Sequence, residues 1–194
     1  ALNRLSIVLR HAAALGLDVD LQATEKAKAL LGRSRHTPKN IPAMDWRDVP
    51  EFYATLVEPT LAHLALRLLM LNPGVRSSPI RLLRLEELED DVWIVPGEKL
   101  KGRKEKTRDF RMPLSQEAMR IIDLARPHAR NGFVFPNSRD GVISDMTLSR
   151  LMERRGLEAR PHGFRTSLRT WIAETTDTPH EVAEMMIAHV ADGS

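Results

Sequence analysis

The spacing of apolar residues predicts a chain made mainly of short amphipathic helices. Two helices are expected before residue 35, over residues 2–15 and 21–31, and a glycine follows each of them. The stretch 33–42 is basic, contains two prolines and has no periodicity, which is typical of a linker. Its charge fits either a solvated loop or a strap along a phosphate backbone, and the pattern does not choose between them.

The remainder of the chain is expected to form one helical domain with a small sheet. Further helices are predicted over residues 45–56, 59–71, 77–83, 115–126, 144–155, 161–172 and 178–188. Residues 92–95 and 108–112 have the pattern of two strands joined by a lysine-rich tip. The predicted fold class is therefore α+β, mainly α with a small antiparallel β-sheet around residues 92–112.

The segment 160–171 holds the most distinctive polar pattern. In a helix beginning at Pro161, the side chains of His162, Arg165 and Arg169 would share one face. An apolar stripe would lie on another face, formed by Phe164, Leu168, Trp171 and Ile172. Two guanidiniums and an imidazole suit the binding of an anion such as phosphate, although a solvated helix face can show the same spacing.

Composition narrows the function classes. The 194 residues (22.0 kDa) include no cysteine, which excludes disulfides and thiolate metal sites. A net charge of +3 and a pI of about 9.5 permit nucleic-acid binding. No apolar run reaches the roughly 18 residues of a membrane span, and no signal peptide is visible, so we expect a cytoplasmic protein without membrane contact. The chain does not begin with Met, which suggests a fragment.

Some apolar and aromatic positions have a simple structural interpretation. In the last predicted helix, Val182, Met185 and Met186 are expected to point inward, as core residues. His63 lies within an apolar helix and is expected to be a packed or half-exposed core histidine. The single tyrosine, Tyr53, is interpreted as a packing residue.

Five short motifs occur together in a familiar order. They are Asn-Pro-Gly-Val-Arg-Ser at 72–77, Lys-Gly-Arg-Lys at 101–104 running into Arg-Met-Pro-Leu-Ser at 111–115, Val-Phe-Pro at 134–136, His-Gly-Phe-Arg at 162–165, and Glu-Val-Ala-Glu-Met at 181–185 leading to Ala-His-Val at 188–190. In this order the chain resembles the tyrosine recombinases, in particular the integrases of prophages and genomic islands. The resemblance covers about residues 45–194.

The resemblance implies site-specific recombination, the integration or excision of a mobile element. In that family a tyrosine attacks the scissile phosphate to give a 3′-phosphotyrosine and a free 5′-hydroxyl, without cofactor or metal. Carried over by motif, Arg76 and Arg165 would hold the nonbridging oxygens and Lys101 would protonate the leaving 5′-oxygen. His162 would act on the proton of the nucleophile or bind the phosphate, and His189 would donate a hydrogen bond to it.

The resemblance also implies a domain arrangement and partners. Residues 1–35 would be the last helices of a core-DNA-binding domain, 36–44 a linker, and 45–194 the catalytic domain without its nucleophile segment. The partner would be double-stranded attachment-site DNA in a bacterial cytoplasm, with a homotetramer on DNA for the full-length protein and a monomer without the tail. The candidate DNA-binding residues are Arg33, Arg35, Lys39, Lys104 and Arg169.

Three departures from the family pattern stand out. The family nucleophile lies nine or ten residues after the position of His189, whereas this sequence has no tyrosine there. Ser78-Pro79 replaces the usual Gly-Glu after the first arginine motif. The hairpin is longer than in many relatives, so Lys104 or Lys106 could replace Lys101 as the acid.

Two other functions are compatible with the same residues. A truncated or degenerate integrase would act only as a DNA-binding module, with a steep dependence of affinity on salt. A type IB topoisomerase shares the strand-breaking chemistry, although the pattern of the final motifs favours an integrase.

Overall fold

The structure, a computed structural model, describes residues 2–32, 40–100 and 108–187. The chain divides into two compact units, Ala1–Asn40 and Ile41–Ser194. The first contains helices α1 (Leu2–Ala14) and α2 (Ala23–Leu31), which pack against each other as the periodicity predicts. No residue of α1 is buried within this unit, so its predicted apolar stripe remains largely exposed there.

The second unit is helical around a small sheet. Its helices are α3 (Val49–Ala54), α4 (Leu61–Leu71), α5 (Ser77–Arg81), α6 (Gln116–Ala125), α7 (Met146–Arg154), α8 (Phe164–Thr175) and α9 (His180–Met186). Its strands are β1 (Leu88–Glu89), β2 (Val92–Val95) and β3 (Phe110–Pro113). Single 3-10 turns connect several of these elements, as at Leu85–Glu87, Gly97–Lys99, Arg126–His128 and Pro161–Gly163.

Helix α4 is the centre of the hydrophobic core. It is apolar on most of its circumference, and such a helix is stable in water only when other elements surround it. Its side chains from His63 to Leu66 and from Leu68 to Met70 are buried, and it packs against α6 and α7. Thr60 caps it by accepting a hydrogen bond from the backbone N–H of His63 at 3.4 Å. The expected burial of His63 is confirmed.

The predicted antiparallel sheet is confirmed, with strand order β1-β2-β3. Trp93 pairs with Met112 in the register, and Trp93 and Val95 point into the core while their neighbours are half-buried. Burying a side chain such as that of Val95 contributes roughly 1.5–3 kcal/mol to the stability of the fold. Strand β1 is too short, at two residues, for alternation to reveal it in the sequence.

Several helices begin later in the chain than predicted, and at two of them the local geometry shows why. Helix α3 begins at Val49 rather than at residue 45, because the Asp45 side chain accepts a hydrogen bond from the N–H of Arg47 in a preceding turn. Helix α9 begins at His180 rather than at residue 178, since Pro179 occupies the N-cap position and no side chain caps the helix. Within the described residues, no helix is long and apolar enough to cross a bilayer.

Candidate active site

The side chain of Arg165, in the first turn of α8, is buried where three segments meet. Its Nη1 donates to the carbonyl oxygens of Pro73, at 3.4 Å, and of Gly74, while its Nη2 donates to the carbonyl oxygen of Ile187. Only 6% of the residue is exposed. Backbone carbonyls accept these bonds but carry no formal charge. The guanidinium is therefore held rigidly while its positive charge remains available to an anion.

A glycine makes this convergence possible. The backbone at Gly74 lies so close to the end of α9 that a Cβ there would overlap the carbonyl oxygen of Met186. A residue with a side chain would push the loop and α9 apart. Because the same loop accepts hydrogen bonds from Arg165, Gly74 lets the loop, α8 and α9 close around one guanidinium.

Arg76 follows this loop directly and stands at the start of α5. Its backbone is extended (φ −82°, ψ 174°), which turns the chain from the loop into the helix. It lines a small cavity of about 220 Å³ together with Ser78, Lys99 and Leu100. Leu100, which directly precedes Lys101 in the sequence, therefore lines the same cavity as Arg76.

The two arginines influence each other electrostatically. The pKa of Arg165 is lowered to about 10, first by burial and then by the positive charge of Arg76, while the carboxylate of Glu184 acts in the opposite direction. Arg165 therefore stays protonated at neutral pH, although its charge is unfavourable in this environment. An anion beside both arginines would relieve the repulsion and favour the charged form. The arrangement thus suits a phosphate.

His162 is placed differently from the sequence expectation. It lies on the 3-10 turn Pro161–Gly163 ahead of α8, and its side chain is exposed, whereas Arg165 is buried. His162 therefore lies in the 3-10 turn ahead of the helix, and only Arg165 and Arg169 of the three predicted residues are carried by α8 itself. Histidine and buried arginine nevertheless remain within one turn of each other along the chain.

The turn that carries His162 is fixed by the segment 41–44. Pro42 accepts a hydrogen bond from the N–H of Arg160 at 3.1 Å, and the Met44 carbonyl accepts one from the Ser167 hydroxyl at 2.5 Å. A Cβ at Gly163 would overlap the carbonyl oxygen of Pro42. Residues 41–44, which the sequence analysis placed in the linker, therefore pack against the start of α8.

A buried ion pair anchors the base of the hairpin, and the sequence analysis missed it. Lys99 Nζ forms an ion pair with Glu87 Oε1 and donates to the carbonyl of Leu82 at 2.6 Å. Glu87 also accepts from the indole N–H of Trp93 at 3.1 Å. The sequence signal was weak, because Lys99 is one of several lysines in this region. This pair fixes the chain two residues before Lys101.

Several predicted site residues lie outside the described residues. They are Lys101, Lys104 and Lys106 in the hairpin, His189 after α9, and Arg33, Arg35 and Lys39 in the basic stretch. Of the predicted site residues that are described, Arg76 lies close enough to Arg165 for its charge to lower the pKa of Arg165. Arg169 instead forms an ion pair with Glu184, with 2.9 Å between Nε and Oε1.

Tyr53 belongs to a separate network of hydrogen bonds around Glu117. It packs against the core, and its hydroxyl donates to Glu117 Oε1 at 2.6 Å, while the guanidinium of Arg67 lies 4.9 Å from its ring centroid. Burial and the bond to Glu117 raise the pKa of Tyr53 above its usual value. A raised pKa disfavours the phenolate that a nucleophile needs, which fits the interpretation of Tyr53 as a packing residue.

A larger apolar cavity of about 690 Å³ lies beside α8. Leu168, Trp171 and Met186 line it, together with Phe110 and Met112 of β3. Trp171 is 40% exposed, so the predicted apolar stripe of α8 is only partly correct: Phe164 and Ile172 are buried, and Trp171 faces this opening. The inward orientation predicted for Val182, Met185 and Met186 is also wrong, since all three are exposed.

Comparison with known proteins identifies the fold. The chain is 31% identical over 154 residues to prophage integrase IntZ of Escherichia coli (strain K12), covering 75% of this chain and 37% of that protein. It therefore spans little more than a third of this relative's length. Among solved structures, lambda integrase (75–356), a dimer bound to a COC′ core site, superposes with a TM-score of 0.64 at 17% identity, over 98% of this chain and 68% of that one.

A second solved structure agrees. The Tn1549 transposon integrase (aa 82–397), in complex with circular intermediate DNA, gives a TM-score of 0.64 at 13% identity, over 98% of this chain and 78% of that one. These likenesses establish the fold, a helical unit with a small antiparallel sheet. The sequence model of the phage integrase family matches residues 43–193, which is most of the chain. The chain therefore belongs to the phage integrase family, and its second unit has the fold of a tyrosine recombinase catalytic domain.

Proposed function

We propose that this chain holds the phosphate-binding part of an enzyme that breaks and rejoins DNA during site-specific recombination. The observation that supports this proposal best is the pair of Arg165 and Arg76. Arg165 is buried, donates to neutral carbonyl oxygens and is repelled by Arg76. A pair of cations held in this way is suited to the extra negative charge of a phosphoryl-transfer transition state.

The proposed chemistry follows from the roles of these groups. The oxygen of a tyrosine attacks the scissile phosphorus, and the bond from phosphorus to the 5′-oxygen breaks. Arg76 and Arg165 bind the nonbridging oxygens, and a hairpin lysine, Lys101 or one of Lys104 and Lys106, gives its proton to the leaving oxygen. His162 accepts the proton of the nucleophile or binds the phosphate, and His189 donates a hydrogen bond to the phosphate. Attack by a 5′-hydroxyl on the phosphotyrosine reverses these steps and reseals the strand.

The partners and domain roles follow from the relatives. Solved relatives include a lambda integrase tetramer bound to a Holliday junction. We infer that the whole protein binds double-stranded attachment-site DNA in the bacterial cytoplasm and recombines as a tetramer. Residues 1–35 would belong to a core-DNA-binding domain and residues 45–194 to the catalytic domain, joined by residues 36–44.

The test is formation of a covalent protein–DNA adduct. The full-length protein is incubated with a nicked duplex carrying its attachment site, so that the cleaved end diffuses away and the adduct accumulates. Arg165→Ala and Arg76→Ala should each lower the single-turnover rate by at least about 10²-fold, because each removes one preorganised cation. Arg150→Ala, which changes an exposed arginine on α7, is the matched control and should react at the wild-type rate.

A second candidate function is DNA binding without strand cleavage. It is supported by Tyr53, the single tyrosine in this sequence, because its hydroxyl donates to Glu117. A DNA-binding module without chemistry would bind duplex DNA with a steep salt dependence and give no adduct. The full-length wild-type protein failing to form an adduct on its own site, while still binding it, would favour this second function and contradict the first.

A further inference from the structure

We propose that Arg169 is a positioning residue that holds α9 against α8, and that Glu184 is its partner in this role. The proposal replaces a direct contact between Arg169 and DNA, which its place near His162 and Arg165 suggested. It rests on the proposed function only where it concerns cleavage, because the contact itself is a property of the fold.

Two arginines one helical turn apart bind α9. Arg169 Nε lies 2.9 Å from Glu184 Oε1, and Arg165 Nη2 donates to the carbonyl of Ile187. Positions 165 and 169 are four residues apart, so their side chains leave the same side of α8. We call these two contacts the α8–α9 clasp.

The clasp matters because α9 buries few side chains among the described residues, although its end also lies against the backbone of Gly74. The helix has seven residues, His180–Met186, too few to be stable in isolation. Ala183 is its only buried residue, and Ile187 is buried just after it, while Val182, Met185 and Met186 are exposed. With so little apolar surface buried, the polar contacts supply a large share of the attachment of α9.

The surroundings of the ion pair favour a structural role. The Arg169 and Glu184 side chains are 26% and 27% exposed, so water screens them less than it screens a surface pair. His180 Nε2 lies 3.9 Å from the same Glu184 oxygen. Glu184 also supports the charged form of Arg165. One carboxylate therefore couples both arginines of the clasp.

The consequence concerns the residues that follow α9. Ile187, whose carbonyl binds Arg165, precedes the predicted phosphate donor His189 by two positions in the sequence. A clasp that fixes Ile187 would fix the starting point of that segment. Loss of Arg169 or Glu184 should then reduce cleavage through His189 and leave DNA binding unchanged.

The first arm of the experiment measures DNA affinity against salt. The full-length protein, Arg169→Ala, Glu184→Gln and the control Arg150→Ala are titrated with a 20-base-pair duplex over a range of KCl concentrations. A phosphate contact contributes about 0.9 to the slope of log affinity against log salt. We expect Arg169→Ala to retain the wild-type slope. A slope lower by about 0.9 in Arg169→Ala, with Glu184→Gln unchanged, would overturn the proposal.

The second arm measures coupling within the clasp. Arg169→Ala and Glu184→Gln should each lower the Tm by a few degrees. The Tm of the double variant should be no lower than that of the less stable of the two single variants. Additive Tm losses would show that the two residues act independently and would contradict the proposal. This arm needs no cleavage, so it stands even if the proposed recombination activity fails.

The third arm distinguishes positioning from general stabilisation. At saturating DNA and well below the Tm of every variant, the adduct-forming rate should fall about tenfold in both Arg169→Ala and Glu184→Gln. Either change added to His189→Ala should slow that variant less than twofold, because the clasp acts through the segment that His189 occupies. A full tenfold further loss in the His189→Ala background would refute that route.

Discussion

Two arginine-rich regions of the second unit differ in what neutralises their charge. At Glu117, one carboxylate accepts from Arg67 at 2.6 Å and from Arg120 at 2.7 and 2.8 Å, as well as from the Tyr53 hydroxyl. At Arg165, the hydrogen-bond acceptors are the backbone carbonyls of Pro73, Gly74 and Ile187. The first region is a network of ion pairs around one carboxylate, whereas the guanidinium of the second donates its hydrogen bonds to uncharged acceptors.

The pKa values follow the same division. The pKa of Glu117 is lowered to about 2, mainly by its hydrogen bonds with Arg120, with smaller contributions from Tyr53 and Arg67. The pKa of Arg165 is lowered to about 10, because burial and Arg76 disfavour its charge. In the Glu117 region the neighbouring groups favour the charged forms, whereas in the Arg165 region burial and the charge of Arg76 outweigh the opposite effect of Glu184. A cation whose surroundings disfavour its charged form is a better indicator of an anion-binding site than a cation already paired with a carboxylate.

The largest expected effect is on the rise in Tm that DNA binding causes, which should depend on the Arg165 region and not on the Glu117 region. A duplex DNA that binds the folded chain should raise its Tm, because ligand binding to the native state adds to stability. Arg165→Ala should lose most of this increase, whereas Glu117→Ala should retain it. Differential scanning fluorimetry with and without a 20-base-pair duplex measures both.

In the absence of DNA, Glu117→Ala should lower the free energy of unfolding by about 2 kcal/mol. This figure lies between the 0–1 kcal/mol of an exposed pair and the 3–5 kcal/mol of a broken buried pair, since the Arg67 side chain is 12% exposed and the Arg120 side chain 53%. The assignment of the two regions would be reversed if Glu117→Ala lost the DNA-induced increase in Tm while Arg165→Ala kept it in full.

The pH dependence of stability offers a second, smaller test of the Glu117 network. The pKa of Glu117 in the folded state, about 2, is below the ordinary glutamate value of 4.5. The network therefore stabilises the fold fully above about pH 5, and this contribution is lost as the pH falls from about 4.5 towards 2. Urea unfolding of the wild type and Glu117→Gln should show a stability difference that is constant from pH 5 to 7 and shrinks below it. A difference independent of pH down to pH 3 would contradict the network.

The smallest expected effect concerns the tyrosine. Tyr53→Phe removes the hydroxyl that donates to Glu117 and should lower the free energy of unfolding by about 1 kcal/mol. The adduct-forming rate of the full-length protein should stay unchanged, because Tyr53 belongs to the Glu117 region. Urea titration and the nicked-duplex assay measure the two quantities. Complete loss of the adduct would instead make Tyr53 the nucleophile.

The sequence predicted elements wherever local signals agreed with packing. Ser115 caps α6 by accepting from the N–H of Ala118, as its place before the apolar period indicates. Gly156 ends the turn after α7 with a left-handed φ of 73°, which glycine adopts at little cost. Strand β2 was visible from its run of β-branched and aromatic residues. These features depend on residues close together in the chain.

Predictions failed where burial depended on distant segments. Periodicity placed Trp171, Met185 and Met186 in the core, but each is exposed, and Trp171 and Met186 line the apolar cavity. An apolar stripe states which face can be buried, not whether a partner is present to cover it. The ion pairs Lys99–Glu87 and Arg169–Glu184 were also missed, because each joins residues 12 or 15 positions apart whose side chains look like ordinary surface charges.

The sequence alone determined the kind of protein: ordered motifs around Arg76 and His162–Arg165, helical periodicity, and a short sheet before the third motif. Only the tertiary structure decided what each arginine does. Arg67, Arg165 and Arg169 have the same guanidinium, but a carboxylate holds the first and the last, and carbonyl oxygens hold the second. The free energy of a charge depends on the groups around it, and folding brings those groups from distant parts of the chain.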